Sequence, residues 1–391
     1  MLLTIYFIVL IGLVLAELTK GLSANGTPPF LQKLPGQMHL AHFMWSNIML
    51  IRVVLIIALV AMVVMASGNA RWIMIGGAVP LGLAWFGVFW LFEKIWTGRI
   101  KFPGITQKVF ATAKENELDP ELQVIGVDYG GVQKAFPVNM ITFHHQIVDQ
   151  VADLPVWVTY CGLCRSGRVY DINVEGQTLD FTLVGAISFN ATFEDNQTGT
   201  WWRQETGEAA KGKLAGRVLE DVPAEQMTLG NWLKKYPKSL VLQYDPKFTR
   251  KYNFINKLQR FEATKPAWHM QDTPSLVIGV EGNDAARGYD WEQLKSHGIV
   301  NDALGSAPIV VATDPDRTSA AAYSREVDGE VLDFTPIDEG MTDSQTGSTW
   351  NWFGTCLKGK MKGKQLSQLQ SYQQYIRSWI TFHPETSFFD F

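Results

Sequence analysis

Five short segments of the chain occur twice, in the same order and at a nearly constant separation. The pairs are VIGV from residues 124 and 277, HQIV from 145 with HGIV from 297, VEGQTLDFT from 174 with VDGEVLDFT from 327, DNQTGTWW from 195 with DSQTGSTW from 343, and KGKLAG from 211 with KGKMKG from 358. Ordered self-similarity of this kind indicates a repeated structural unit. We therefore predict two homologous repeats, which any fold of this chain has to accommodate.

Each copy has the pattern of a β-rich unit. Apolar stretches such as residues 124–127, 156–160 and 179–183 are bounded by turn-forming residues, as is typical of strands. A short helical stretch around residues 139–151 precedes the second of these strands. We therefore predict a β-rich α+β module with antiparallel sheets. Its predicted parts are residues 97–244 for the first copy, 245–273 for an aromatic and basic connector, and 274–391 for the second copy.

Residues 1–96 are predicted to form a membrane region with about three transmembrane helices. Apolar runs cover residues 1–16, 53–66 and 72–92, and a helix needs about 17–25 residues to cross about 30 Å of hydrocarbon. The third run reaches this length alone, whereas the second does so only with residues 47–52 included. The first run could instead be a cleaved export signal, although no positive segment precedes it. The pattern predicts the lipid bilayer as a partner.

Charge narrows the other partners and leaves the orientation open. The formal net charge is −4, and no basic block carries interleaved aromatic residues, which argues against a nucleic-acid partner. Lys20, Lys33, Arg99 and Lys101 outweigh Arg71 across the predicted spans. The positive-inside rule, taken alone, therefore places the soluble module in the cytoplasm. The sequence indicates no particular protein partner and no oligomeric state.

The segment VWVTYCGLCRSGRVYD, residues 156–171, holds the residues with the most chemistry. An apolar strand leads Cys161 and Cys164 into a tight turn, and a second strand leaves it. Two thiols at this spacing can close a disulfide or give two soft ligands to a metal ion. The neighbouring Arg165 would favour the thiolate form. The alternatives are an inert buried pair and a purely structural disulfide. Only Cys356 remains besides these two, so a scaffold held by several disulfides is disfavoured.

A metal ion at this turn would need further ligands. His145 is the candidate third ligand or acid–base group, and His144 is a candidate pocket residue. A structural zinc site normally has four ligands, and the chain has no second cysteine pair. Copper, which soft thiolates select, is therefore expected ahead of zinc. His145 recurs as His297 in the copy that lacks the cysteines, so a structural role is the alternative.

Further residues are candidates for the wall of a pocket beside the cysteines. They are Tyr160, Asn190, Asp195, Trp202 and Gln204. Asp195 and Trp202 have counterparts in the second copy, which fits turn capping and core packing as well as function. A phosphate loop, an HExxH zinc helix, a GxSxG elbow and a CxxCH haem attachment are absent from the sequence.

At these residues the chain resembles the family catalogued as domain of unknown function 3179. That family has a WHEIVND-like segment, then VTYCPLCGSGVVFDR, VSGLLYNSDLVMYDRQTGSLWWQ and GEAIVGPLAG. The corresponding segments here are HHQIVDQ, VTYCGLCRSGRVYDI, LVGAISFNATFEDNQTGTWWRQ and GEAAKGKLAG, and the resemblance covers residues 124–389. Gln146, Gly162 and Arg165 stand where the family has Glu, Pro and Gly. The glutamine weakens an acid–base role at that position.

The resemblance implies a placement outside the cytoplasm, because members commonly begin with export signals or lipoprotein-like segments. We therefore predict a protein integral to the cytoplasmic membrane with an extracytoplasmic soluble module. The predicted function is a membrane-tethered dithiol redox or soft-metal site, of the copper type, in the first repeat. The alternative is a non-catalytic scaffold that binds a ligand or partner at the membrane. A third hypothesis is a hydrolase that uses His145 and Asp149, for which the sequence offers no nucleophile. Whether the protein is an enzyme stays open.

Overall fold

The N-terminal region forms three long helices. The structure, a computed structural model, describes residues 1–25, 29–262, 275–282, 285–338 and 340–391. The helices are α1 (Leu2–Ser23), α2 (Gln37–Met65) and α3 (Gly68–Trp90), and a π-helical turn (Leu91–Ile95) continues α3. All three are long and apolar enough to cross a membrane, which confirms that the chain is membrane-anchored. The second helix begins at Gln37, well before the apolar run that predicted it, because its first turns pack on other parts of the protein.

Four charged side chains inside this helical region neutralise one another. The guanidinium of Arg52 on α2 donates to both carboxylate oxygens of Glu17 on α1, at 2.6 and 2.9 Å, and to Glu93 at 2.7 Å. The ammonium of Lys20 also pairs with Glu93, and the indole of Trp85 donates to Glu17 at 3.2 Å. Ionised groups within a membrane are costly unless they pair. The two acidic and two basic groups therefore satisfy each other where the helices meet.

Short strands make up most of the chain after α3. The first group comprises α4 (Gly98–Lys101), β1 (Phe110–Ala111), β2 (Gln123–Tyr129), β3 (Val132–Pro137), α5 (Val138–His144), β4 (Gln146–Val151), β5 (Leu154–Cys161), β6 (Ser166–Asp171), β7 (Asn173–Val174), β8 (Gln177–Thr178), β9 (Phe181–Ile187), β10 (Asn190–Asp195), β11 (Trp201–Arg203), β12 (Ala209–Lys211), β13 (Ala224–Thr228), α6 (Leu229–Lys235), β14 (Leu240–Leu242) and α7 (Thr249–Glu262). The second group comprises β15 (Leu276–Glu281), β16 (Ala286–Asp290), α8 (Trp291–His297), β17 (Ile299–Leu304), β18 (Ala307–Thr313), β19 (Ala320–Ser324), β20 (Glu326–Val327), β21 (Glu330–Val331), β22 (Phe334–Ile337), β23 (Gly340–Asp343), β24 (Thr349–Asn351), β25 (Cys356–Lys358), β26 (Gln368–Leu369), β27 (Ser371–Tyr375), α9 (Ile376–Phe382) and β28 (Ser387–Phe388). The predicted class, apolar helices followed by a β-rich α+β region, is confirmed.

The chain divides into two compact units, and the predicted domain boundaries stay a prediction. The first comprises Met1–Pro103, Leu179–Gln204 and Glu208–Val218, and the second comprises Gly104–Thr178, Glu205–Gly207 and Leu219–Phe391. The sheet β12-β11-β10-β9 thus belongs to the same unit as the long helices. Within this unit the Trp201 ring lies edge-on to His42 and Trp45 of α2, with ring centroids 5.1 and 6.0 Å apart. The start of α2 is therefore partly covered by a sheet.

Two sheets of the second unit have the same strand order and the same strand directions. They are β13-β2-β3-β14 and β27-β15-β16-β28, in which the last pair is parallel and the others are antiparallel. The antiparallel sheets β4-β5-β6 and β17-β18-β19 also correspond in chain order. The shared topology is consistent with two homologous repeats, and their homology stays a prediction from the sequence. Of the predicted connector, residues 263–273 lie outside the described residues, and residues 249–262 form α7.

Candidate functional site

The hairpin of β5 and β6 brings the two neighbouring cysteines into one turn. Cys161 ends β5 and pairs with Ser166, which begins β6. Within the turn the backbone N–H of Cys164 donates to the carbonyl of Cys161 at 3.3 Å. No disulfide joins the two thiols. Arg165 completes the turn with a φ of 54°, in the left-handed region that a residue with a side chain rarely adopts.

A cation and two tyrosines adjoin this turn. The side chains of Arg165 and Tyr160 are hydrogen-bonded, and burial raises the pKa of Tyr160 while Arg165 opposes that rise. The guanidinium of Arg165 lies 6.0 Å from the ring centre of Tyr375, whose backbone N–H donates to the carbonyl of Cys164 at 3.0 Å. The Cys161 and Cys164 side chains are 1% and 0% exposed. The turn thus combines a positive side chain with two buried cysteines.

The two histidines before β5 have different surroundings. His145 ends α5 with a φ of 63°, and its carbonyl accepts a hydrogen bond from Tyr160 at 3.3 Å. Its ring Nδ1 lies 3.0 Å from the carbonyl of Thr142. A carbonyl can only accept, so Nδ1 carries the proton and Nε2 carries the lone pair. Burial lowers the pKa of His145 to about 4, which keeps the ring neutral near pH 7.

His144 lies in an aromatic cluster. Its Nε2 is 2.7 Å from the hydroxyl of Tyr252, and its ring stands edge-on to Phe143 and Phe248. All four side chains are fully or partly buried. The contacts of His144 are those of a core residue that anchors α7 to α5, although it was predicted to line a pocket.

The other predicted pocket residues belong to the first compact unit, where they form two bonded pairs. Asn190 Nδ2 donates to the side-chain oxygen of Gln204 at 2.8 Å. The indole of Trp202 donates to Asp195 at 2.8 Å, and Asp195 also accepts from Thr198 of its own turn. In the second unit Trp350 donates to Asp343 at the same distance, and Thr346 occupies the place of Thr198. Each Asp–Trp pair caps a turn between strands.

A buried charged cluster near the hairpin was missed by the sequence reasoning. Arg168 of β6 donates to Glu205 at 2.9 Å and to Glu281 at 2.8 Å. Its guanidinium carbon lies 3.3 Å from the ring centre of Tyr372. Ser166, opposite Cys161, donates to the other oxygen of Glu205. A signal was present, because Arg168 is a charged residue within the strand that was predicted to leave the cysteine turn, immediately before two hydrophobic residues.

The structure limits the residues that could take part in a metal site or in a hydrolase reaction. Across the described ranges, no group of three or more His, Cys, Asp or Glu side chains is arranged to hold a metal ion. A metal hypothesis therefore depends on the two thiols themselves. The Asp149 carboxylate of the hydrolase reading pairs with Lys134 at 2.8 Å and with Lys108 at 3.4 Å. Those contacts are sufficient to explain this aspartate as an ion-pair partner.

Comparison with known proteins identifies a family. The sequence model of the family described as Protein of unknown function (DUF3179) matches residues 99–386. The match covers the hairpin with both cysteines, the charged cluster and nearly all strands that follow α3. Neither the curated proteins nor the solved structures gave a match.

Proposed function

The chain belongs to the family described as Protein of unknown function (DUF3179), and from this premise we propose that it is a membrane-anchored dithiol protein. In this proposal Cys161 and Cys164 cycle between two thiols and one disulfide. One observation carries it: Cys161 and Cys164 lie in a single turn, not joined by a disulfide, and Arg165 of the same turn contributes a positive charge. The three apolar helices hold this chemistry at a lipid bilayer.

Arg165 places a positive charge in the turn that carries both cysteines. It has a φ of 54°, where the resembled family pattern has glycine, and a side chain in this left-handed region costs about 1–2 kcal/mol relative to glycine. Arg317 has a similar φ of 58° in the turn of the second copy, so the backbone conformation is common to both turns and only the cysteines are specific to the first. Nearby positive charge lowers the pKa of a thiol and increases the thiolate fraction. The charge of Arg165 therefore supports the proposal, and its backbone conformation does not.

Thiol counting on the full-length protein in mild detergent tests the proposal. The protein is equilibrated with graded ratios of reduced and oxidised dithiothreitol, quenched by alkylation, and weighed by mass spectrometry. We expect two of the three thiols to disappear together, with each lost thiol giving up one electron and one proton. Cys161→Ser and Cys164→Ser should each abolish this step, and Cys356→Ser should leave it unchanged. Three alkylated thiols at every ratio would overturn the proposal.

A soft-metal function is the second candidate, favoured by the position of both cysteines in one turn, where they can supply two soft ligands. Monovalent copper is the probe, because soft thiolates select it. We expect one equivalent to bind the reduced protein and none to bind the Cys161→Ser, Cys164→Ser double variant. Equal copper binding by both proteins would reject this function.

The scaffold reading predicts a different outcome in the same two experiments. A module that only binds a partner needs neither disulfide formation nor copper binding at the turn. If the double serine variant folds and both assays are negative for the parent protein, the chemistry is absent and the scaffold reading takes its place. Unfolding of the double variant is checked separately by circular dichroism, so that a folding defect is not taken for lost chemistry.

A further inference from the structure

Unsatisfied polar atoms are concentrated beside the cysteine hairpin. Among the described residues, eight buried side-chain nitrogen or oxygen atoms have no hydrogen-bond partner, and five of them belong to Arg168, Gln374, Ser378 and Trp379. We call these four residues the buried donor cluster. Buried polar groups without partners cost about 1–3 kcal/mol each and are uncommon in native proteins. Five in one place indicate a site that receives a polar molecule.

Contacts within the second unit join the members of the buried donor cluster. Tyr372 and Gln374 are the two buried residues of β27 and alternate with more exposed neighbours, so they share a face. Arg168 lies over the ring of Tyr372, and its Nη2 is 3.4 Å from Nε2 of His383. The His383 ring stacks on Trp379 with centroids 4.0 Å apart. Strand β27, helix α9 and β6 therefore contribute neighbouring polar groups to one part of the second unit.

The same elements hold the cysteine turn. Tyr375, the neighbour of Gln374, donates its backbone N–H to the carbonyl of Cys164. Ser166 pairs with Cys161 across the hairpin and bonds to Glu205, which also accepts from Arg168. The turn and the buried donor cluster are thus linked from both strands of the hairpin. A molecule held by the cluster would be presented near the thiols.

The chemistry of the cluster restricts the molecule that fits. A cation is disfavoured because the cluster presents four unsatisfied donors. They are the Nε of Arg168, the amide of Gln374, the hydroxyl of Ser378 and the indole of Trp379. Glu205 and Glu281 both face the one guanidinium of Arg168, which leaves excess negative charge and disfavours an anion. The unsatisfied amide oxygen of Gln374 requires a donor in return. A small neutral molecule with both donors and acceptors meets these conditions.

Deepening the proposed dithiol function, on which it rests, we propose that the buried donor cluster binds hydrogen peroxide and that the dithiol reduces it. Hydrogen peroxide is neutral, has two donors and two acceptor oxygens, and is small enough for a cluster whose four residues are 0–4% exposed.

The reaction balances with the groups named. The Cys164 thiolate, beside Arg165, attacks one peroxide oxygen; an S–O bond forms, the O–O bond breaks, and hydroxide leaves and takes up a proton to become water. The Cys161 sulfur then attacks the resulting sulfenic sulfur; an S–S bond forms, the S–O bond breaks, and a second water leaves. Two thiols and one peroxide thus give one disulfide and two waters. An external dithiol of the dithiothreitol class restores the thiols.

The experiment compares two oxidants on the reduced full-length protein in detergent. Disulfide formation is followed over time with hydrogen peroxide and, separately, with oxidised dithiothreitol. The test variant is Gln374→Met, because the corresponding register position of the other sheet is Met227: both lie opposite the valine of a VIGV segment. The control variant is Gln373→Met, on the opposite face of β27. We expect Gln374→Met to slow the peroxide reaction at least about tenfold, which corresponds to about 1.4 kcal/mol, and to change exchange with oxidised dithiothreitol less than about twofold.

The outcomes separate this inference from the proposed function. A disulfide that forms by exchange but not with peroxide, or a Gln374→Met variant oxidised by peroxide at the parent rate, overturns the peroxide site and leaves the dithiol function intact. Absence of a disulfide with either oxidant overturns both. Cumene hydroperoxide has one donor hydrogen in place of two and a bulky substituent that the buried donor cluster would have to accommodate, so it should react at least about tenfold more slowly than hydrogen peroxide. Equal rates for the two peroxides would contradict binding at the buried donor cluster.

Discussion

The hairpin turns β5–β6 and β18–β19 hold the same position in two sets of elements with the same order, and they are built differently. In the second turn Asp314 accepts bonds from Asn231, from both the N–H and hydroxyl of Thr318, and from Ser319, all at 2.6–2.8 Å. In the first turn two thiols and Arg165 occupy the corresponding place. One turn is closed by a saturated carboxylate, whereas the other carries reactive groups.

The helices that follow the outer strands differ in the same way. On α6 the indole of Trp232 donates to Ser239 at 2.7 Å, and Asn231 is bonded to Asp314. On α9 the indole of Trp379 and the hydroxyl of Ser378 have no partner among the described residues. Trp232 and Trp379 otherwise pack alike, each over a glycine of a VIGV segment. The two halves thus share an arrangement of elements, with these polar side chains satisfied in one half and unsatisfied beside the cysteines in the other.

Removing the Asp314 carboxylate, which accepts hydrogen bonds across its turn, should have the largest effect on the free energy of unfolding. Asp314→Ala leaves the buried donors of Asn231, Thr318 and Ser319 unpaired and should lower the free energy of unfolding by about 3 kcal/mol. Asp316→Ala, at an exposed position of the same turn, is the control and should change it by less than about 0.5 kcal/mol. Denaturant unfolding of the full-length protein in detergent measures both. Equal values for the two variants would mean that the turn is not held by Asp314.

Met227 and Gln374 occupy the corresponding register position in the two sheets. Replacing each by the other residue type should change the free energy of unfolding in opposite directions. Met227→Gln buries an amide in the satisfied half and should lower the free energy of unfolding by about 2 kcal/mol. Gln374→Met removes two unsatisfied atoms and should raise it by about 1 kcal/mol. Denaturant unfolding of the full-length protein in detergent measures both changes. If Gln374→Met is destabilising by a similar amount, the amide is satisfied in the folded protein and the contrast between the halves fails.

A smaller effect, on the pH dependence of the free energy of unfolding, is expected from His145 and its counterpart in the second copy, His297. Burial lowers the pKa of His145 to about 4, below the value of about 6.5 in an unfolded chain. The unfolded chain therefore binds more protons between these values, so stability is complete above pH 6.5 and falls as the pH decreases towards 4. His145→Gln should remove a loss of about 0.7 kcal/mol in the free energy of unfolding between pH 7 and pH 6. His297→Gln, at an exposed site, should leave the pH profile unchanged; an identical change in both variants would contradict the assignment.

Local features of the fold could be predicted from the sequence. The hairpin around Cys161 and Cys164 follows from two adjacent strands with a glycine-containing turn between them, and its strand pairs range from Cys161 with Ser166 to Val156 with Asp171, all local in the sequence. The transmembrane helices follow from composition alone. The second helix was predicted too short, because Gln37, His42 and Trp45 lie on a face that packs against protein, and no apolar run marks such a face.

The candidate site was predictable only in part. The partners of Arg168 are 37 and 113 residues away in the chain, and no spacing in the sequence connects them. The roles of Asp195 and Trp202 were left open between pocket and turn capping, and their contacts with each other and with the turn are those of a cap. Gln374 carries no motif at all. Its importance depends on the lack of a partner, which is a property of the folded state.

The paired charges of the helical region constrain how the protein is made. Before the helices meet, α1 exposes Glu17 and Lys20, α2 exposes Arg52, and the extension of α3 exposes Glu93, each at a cost of about 2.5–3.5 kcal/mol for a charge deep in the bilayer. Full neutrality exists only when all three segments are side by side. Release from the insertion machinery should therefore be concerted, with α1 and α2 retained until the end of α3 has emerged from the ribosome. A chain truncated before Glu93 would leave Lys20 without its acidic partner in lipid and become a substrate for membrane quality control.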